Sequence, residues 1–255
     1  MFNQKLSGQV EVVRAHDKII HFYYGDGATQ HKAMGRAQAI YDAPVDKFQQ
    51  GYFSRQDFEE WTKNFGLWAS PWVGTNKPVQ AIYDLAKFPD LSPEEQFVVD
   101  QVKAQNMPEG SYLISSSEWN GALRHEMCHA LWYCFEDYRT AALAIMNAKK
   151  HKKEMKDRFK HLTAMGYKDS SLLDEANAYM AGSGSYGAMA DQLNDLMDDC
   201  LTKSGIDFRA LECLGQDQQA FVLNDDDEPE LTDDEWDAKW EQELPLLQIP
   251  ETKKG

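Results

Sequence analysis

The segment Ala122-Leu-Arg-His-Glu-Met-Cys-His-Ala-Leu-Trp132 places two histidines four residues apart, His125 and His129, with Glu126 between them. Of everything in the chain, this spacing most restricts the fold. In an α-helix, positions i and i+4 lie one turn apart on the same face, with about 6 Å between Cα atoms, so both imidazoles reach a common point. In a strand the same side chains stand far apart. Ala122, Leu123, Met127, Ala130 and Leu131 are helix-compatible, and a short apolar strand with a capping signal precedes them. With seven histidines and 18 glutamates in 255 positions, chance expects about 0.014 occurrences of this pattern, so the segment predicts a purpose-built helix.

Two imidazoles so placed suit a metal ion. Zinc held by three protein ligands keeps a fourth position for water and lowers the pKa of that water to about 7. Glu126 is displaced around the helix from both histidines, and can stand beside the ion and take the proton of the water as general base. His125 and His129 are therefore candidate zinc ligands and Glu126 the candidate catalytic base.

The segment resembles the zincin metallopeptidases, over the motif helix and its flanks. The metzincin extension is absent, because Trp132 and Phe135 stand where that pattern needs Gly and His. The third ligand must come from elsewhere. Glu136 lies seven residues beyond His129 and, in a continuous helix, about 10 Å farther along the axis, too far to share the ion. The stretch Leu172-Leu-Asp-Glu-Ala-Asn-Ala-Tyr179 looks like the second helix of the glutamate-type zincins, and the resemblance implies Glu175 as third ligand, with Asp174 as its competitor. Glu175, Ala178 and Tyr179 share a face. Tyr179 is the candidate donor to a developing oxyanion, and Tyr167 an alternative. His151 and His161, in the Lys-rich run KKHKKEMKDRFKH, read as surface residues. Cys128 reads as a small buried hydrophobe.

The same two-histidine, one-carboxylate set also suits iron(II) in non-haem oxygenases. A zinc hydrolase acting on a peptide or protein is the first expectation, an iron(II) oxygenase the second, and a non-enzymatic acidic interaction protein the third.

Around the motif, residues 8–24 carry two β-branched and aromatic runs closed by Gly25-Asp26-Gly27, which predicts a small N-terminal pair of strands. A helix follows from about Thr29, and Ser54 with Asp57 forms a capping pattern. Residues 67–79 read as an ordered, aromatic-rich loop. Ser92-Pro93-Glu94-Glu95 starts a helix running to about Gln105. The run SYLISS is a short strand, with Ser115 to Glu118 as a capping pattern into the motif helix. A long Lys-rich helix is expected from Asp137 to Met165, then helices from near Ser170 and Tyr186, with the Gly-rich residues 182–187 as an interhelical turn. The fold class is α+β, mainly helical: a zincin-like domain over 1–223 and an acidic tail over 224–255.

Charge separates these two parts. The chain carries −16 formally, and the tail, with 12 acidic and 3 basic residues, supplies −9 of it. Such a balance disfavours nucleic acid and anionic lipid as partners. No apolar run approaches the roughly 20 residues of a membrane span, and the N-terminal residues carry no signal-peptide pattern. Four irregularly spaced cysteines suit reduced thiols, so a cytoplasmic protein is expected. Within the tail, Thr232 and Glu235 repeat a capping pattern, and Trp236, Trp240 and Leu244 share a helical face that can dock on the body or on a partner protein.

Overall fold

The computed structural model describes residues 10–43, 48, 51–63, 73–117, 122–165, 167–182 and 187–214. Strands β1 (Val10–His16) and β2 (Ile19–Tyr24) form the expected hairpin, antiparallel from Val10↔Tyr24 to His16↔Ile19 with an irregularity at Arg14/His16. Asp26 then caps helix α1 (Gly27–Asp42), its carboxylate accepting from the Thr29 backbone N–H at 2.7 Å. Ser54 and Asp57 form the reciprocal capping box of α2 (Arg55–Thr62). Strand β3 (Gly74–Pro78) leads directly into α3 (Val79–Leu85). Helix α4 (Pro93–Gln105) starts on a Ser92/Glu95 capping box with Pro93 in its first turn, and its extent matches the expectation. Strand β4 (Tyr112–Ser116) follows.

The four strands form one sheet in the order β1-β2-β4-β3. Strands β2 and β4 are parallel; the two outer pairings are antiparallel. All six residues of β2 are buried, as a central strand covered on both faces requires. Alternation divides the core accordingly. Ile20, Phe22, Tyr24 and Leu113 belong to a cluster with α1, α3 and α4. Ile19, Tyr112 and Ile114 belong to a second cluster, built with the helices that follow β4. Those helices are α5 (Ala122–Cys134), α6 (Glu136–Met146), α7 (Lys152–Ala164), α8 (Leu172–Gly182), α9 (Ala188–Lys203) and α10 (Phe208–Glu212). The molecule is α+β and mainly helical, with a sheet between two helical layers.

On the first layer, the Arg36 guanidinium is buried and grips Glu95 with two bonds of 2.7 and 2.8 Å and Asp90 with one of 2.9 Å. The Arg55 backbone N–H also donates to Asp90. One cation thereby ties α1 to the start of α4 and α2. A planar guanidinium suits such a site because it satisfies several acceptors at once.

Three local expectations are corrected. Part of the 67–79 stretch is not loop: Gly74–Pro78 is an edge strand, specified by its pairing with β4 rather than by its own weak strand propensity. Ser115 is not a cap; it lies inside β4, buried, with its hydroxyl bonded to Thr75 and Gln30. The Lys-rich helix is not continuous: it breaks at Asn147 and Ala148, and a single 3-10 turn, Lys149–His151, separates α6 from α7. Residues 67–72, Glu118, the Gly-rich positions 183–186 including Tyr186, the 223/224 boundary and the whole tail lie outside the described residues.

Candidate metal centre

Helix α5 forms where the sequence predicts it, with Leu123, Met127, Cys128, Ala130 and Leu131 turned into the core. The opposite face holds His125 and His129, whose Nε2 atoms lie 3.1 Å apart. Helix α8 crosses this face. The crossing is close because Gly182 has no side chain: a Cβ there would lie 2.6 Å from the His125 Cα. Gly182 is thus the last residue of α8 and a packing contact, not part of an interhelical turn. Seven residues earlier, two turns back on the same face, α8 carries Glu175. Two polar anchors fix the helix. The Arg124 guanidinium donates to the Ala181 carbonyl at 3.1 Å, and Tyr138 on α6 donates to the fully buried Asn177 at 3.1 Å.

Glu175 Oε2 lies 3.7 Å from the Nε2 of each histidine. Among the described residues, His125, His129 and Glu175 are the group able to hold a metal ion. The three atoms fit one. A triangle with sides of 3.1, 3.7 and 3.7 Å has a circumradius of about 2.0 Å, and zinc binds imidazole nitrogen and carboxylate oxygen at about 2.0–2.2 Å. Iron(II) accepts the same donor set.

Asp174, the competitor for third ligand, stands elsewhere. Its Oδ2 lies 3.0 Å from Nδ1 of His129, on the far side of the ring from Nε2. The adjacent carboxylates therefore face the two nitrogens of one imidazole. Burial alone would lower the His129 pKa, but the Asp174 carboxylate, with Glu175 and Glu126, carries it up to about 10. His125 goes the other way: burial, helped by the charge of His129, lowers it to about 3. The split follows from position: carboxylates face His129, while His125 meets burial and the charge of its neighbour.

Glu126 is buried, and burial pushes its carboxyl pKa up against the opposing pull of His129 and Asn76. Its Oε2 accepts a 2.6 Å hydrogen bond from the Asn76 side-chain amide. The amide is oriented in turn by the Tyr112 hydroxyl, which donates to Asn76 Oδ1 at 2.5 Å. Asn76 comes from the edge strand β3. Two residues before it, Gly74 makes room for Glu126, since a Cβ there would lie 2.8 Å from the Glu126 Cγ.

The Tyr179 ring stands edge-on to His125 with centroids 4.7 Å apart, and its hydroxyl is 3.2 Å from that of Tyr167. Burial raises both phenols. Comparison with protein-family models, with curated proteins and with solved structures found no match. The meaning of the site rests on its own chemistry.

The remaining sequence candidates fall outside it. Glu136 is exposed at the start of α6, beyond a break at Phe135. His161 is exposed. His151 is not a surface residue: the 3-10 turn tucks it in at 4% exposure, 3.3 Å from the Gln192 amide and 3.7 Å from Glu154. Cys128 is fully buried against Met197, and burial pushes its thiol up to about 12. Sequence reasoning missed Asn76, Tyr112, Gly74 and Gly182. No local pattern marks these contacts, because each acts through a neighbour at least 36 residues away in the chain.

Proposed function

We propose that this chain is a zinc-dependent hydrolase of the zincin type, cleaving an amide bond in a peptide or protein, with His125, His129 and Glu175 as the metal ligands. The observation that carries the reading is the convergence of two Nε2 atoms and one carboxylate oxygen on a point about 2 Å from each, with a separate buried carboxylate, Glu126, alongside. Zinc, when bound, supplies a Lewis acid that polarises the scissile carbonyl and acidifies a water.

The chain's own residues do the rest. Glu126 accepts the proton of the attacking water at a carboxylate oxygen and passes it to the leaving amine. Asn76 holds the other oxygen, so the carboxylate stays aimed, and Tyr112 prevents the amide from turning round. Asp174, with its carboxylate 3.0 Å from Nδ1 of His129, favours the tautomer that carries the proton there and leaves Nε2 free for the metal. The Tyr179 hydroxyl, beside His125, donates to the developing oxyanion. On its outer side β3 has no partner strand among the described residues. Its backbone offers an extended peptide a ladder of hydrogen bonds next to the base, which favours a peptide over a compact small molecule.

All four cysteines are free, and among the described residues no helix is long and apolar enough to cross a membrane. These features support a cytoplasmic setting.

Activity of three variants on a peptide library tests the reading. His125→Ala and His129→Ala lose metal and cleavage together; Glu126→Gln loses cleavage and keeps the metal. Cleavage that persists in all three, or an activity that needs iron(II) and consumes oxygen, overturns it.

A further inference from the structure

Helix α7 carries an exposed stripe of lysines. Its inward face is set by Met155 and Leu162, both buried. At 100° per residue, Lys152, Lys156, Lys160 and Lys153 fall within about 100° of arc on the outer side. All four are exposed. Asp157 and Glu154 lie outside that arc, and Glu154 faces His151. Lys149 and Lys150, also exposed, extend the charge back through the 3-10 turn.

This arrangement runs against ordinary helix design. Lys152, Lys156 and Lys160 follow one another at i, i+4 and i+8, the spacing at which like charges repel most directly. Two other exposed lysines pair within their own helix or turn, Lys87 with Asp84 and Lys203 with Asp199, each at 2.6 Å. None of Lys152, Lys153, Lys156 and Lys160 makes an ion pair among the described residues.

We infer that the acidic C-terminal segment of this same chain seats on the α7 stripe, with residues 225–237 facing Lys149–Lys160. The charges are complementary in sign and in length. Residues 225–237 hold nine carboxylates and no basic residue in 13 positions, against six exposed lysines in 149–160. The tether is longer than the helix that leads away from the stripe. Gln192 of α9 bonds the Lys150 ammonium, so the start of α9 lies beside the stripe. The 16 residues of α9 lead away from it by about 24 Å at 1.5 Å per residue. The chain then turns through α10 to Leu214, and the 11 residues from there to Asp225 reach about 36 Å when extended. Tethering raises the effective concentration of the segment to about the millimolar range, so a modest electrostatic affinity fills the site.

Carbodiimide cross-linking of the full-length protein tests the inference, because this reagent joins a lysine amine to a carboxylate only where the two are already in contact. At low salt, mass spectrometry of the monomer band is expected to show Lys152, Lys153, Lys156 and Lys160 joined to carboxylates between Asp225 and Asp237. These products fall about tenfold at roughly 0.5 M salt, where the Debye length drops below 5 Å. In the charge-reversed variant K152E/K153E/K156E/K160E, which alters only exposed positions and removes those four amines, the tail's cross-links to the retained Lys149 and Lys150 fall as well, and none appear on another surface in their place. Tail cross-links spread over other lysines at low salt, their absence, or their confinement to a dimer band overturns the inference.

Discussion

At the scale of single residues, the site is defined by which carboxylate faces which nitrogen. Asp174 and Glu175 are neighbours in sequence, yet one faces Nδ1 of His129 and the other its Nε2. A second carboxylate behind a ligating imidazole typically accounts for 10- to 100-fold in metal affinity. Asp174→Asn is therefore expected to weaken zinc binding by about that factor without changing stoichiometry, measured by competition with a chromophoric chelator. Asn76 carries a different expectation. Asn76→Ala removes a hydrogen bond to a buried carboxylate, worth about 1.5–3 kcal/mol, so the cleavage rate falls about 10- to 100-fold while zinc affinity holds. Equal loss of both would make Asn76 a support of the fold rather than of the base. The paired histidines and Glu126 were legible in the sequence because helix periodicity alone places them. The choice between Asp174 and Glu175 was not, since adjacent residues lie only 100° apart and the docking angle of α8 decides which one faces the two Nε2 atoms.

At the scale of elements, the centre is a contact between α5 and α8 with β3 along its edge. Capping chemistry made the starts of α2 and α4 readable, because Ser54/Asp57 and Ser92/Glu95 satisfy their own helix ends locally. Strand β3 was not readable. Its sequence GTNKP has little strand propensity, and only pairing with β4 makes it one. The break between α6 and α7 was hidden for a similar reason, since burial of His151 is a tertiary event. Gly182 sets the spacing of α5 and α8. Gly182→Ala forces a methyl group against the His125 backbone, and overpacking of this kind costs about 1–3 kcal/mol. Urea unfolding should show that loss, with weaker zinc binding beside it. Unchanged stability would mean that the helices have room to separate.

At the scale of the whole molecule, the sheet divides a helical layer that braces from one that carries the site. His21 lies within this sheet, fully buried, its Nε2 2.9 Å from the Ser116 hydroxyl. Burial lowers its pKa from 6.5 to about 3. The unfolded chain therefore binds the proton first as pH falls. The stability that His21 contributes is complete above pH 6.5 and is lost between 6.5 and 3, at up to about 1.4 kcal/mol per pH unit. His21→Gln, which keeps a donor for Ser116, should show a shallower fall in stability from pH 7 to 5; parallel curves would contradict the burial argument. The excess of negative charge belongs mainly to the tail, so the whole-chain value says little about the surface around the metal centre. What the account asserts above all is that three side chains from two helices form one zinc site. The direct measurement is the metal content of the purified protein by mass spectrometry, for the native chain and for Glu175→Ala and Asp174→Ala. The account predicts one zinc per native chain, none retained by Glu175→Ala, and a full but weaker site in Asp174→Ala. Full retention in Glu175→Ala with loss in Asp174→Ala, or no zinc in the native chain after zinc is supplied, would contradict it.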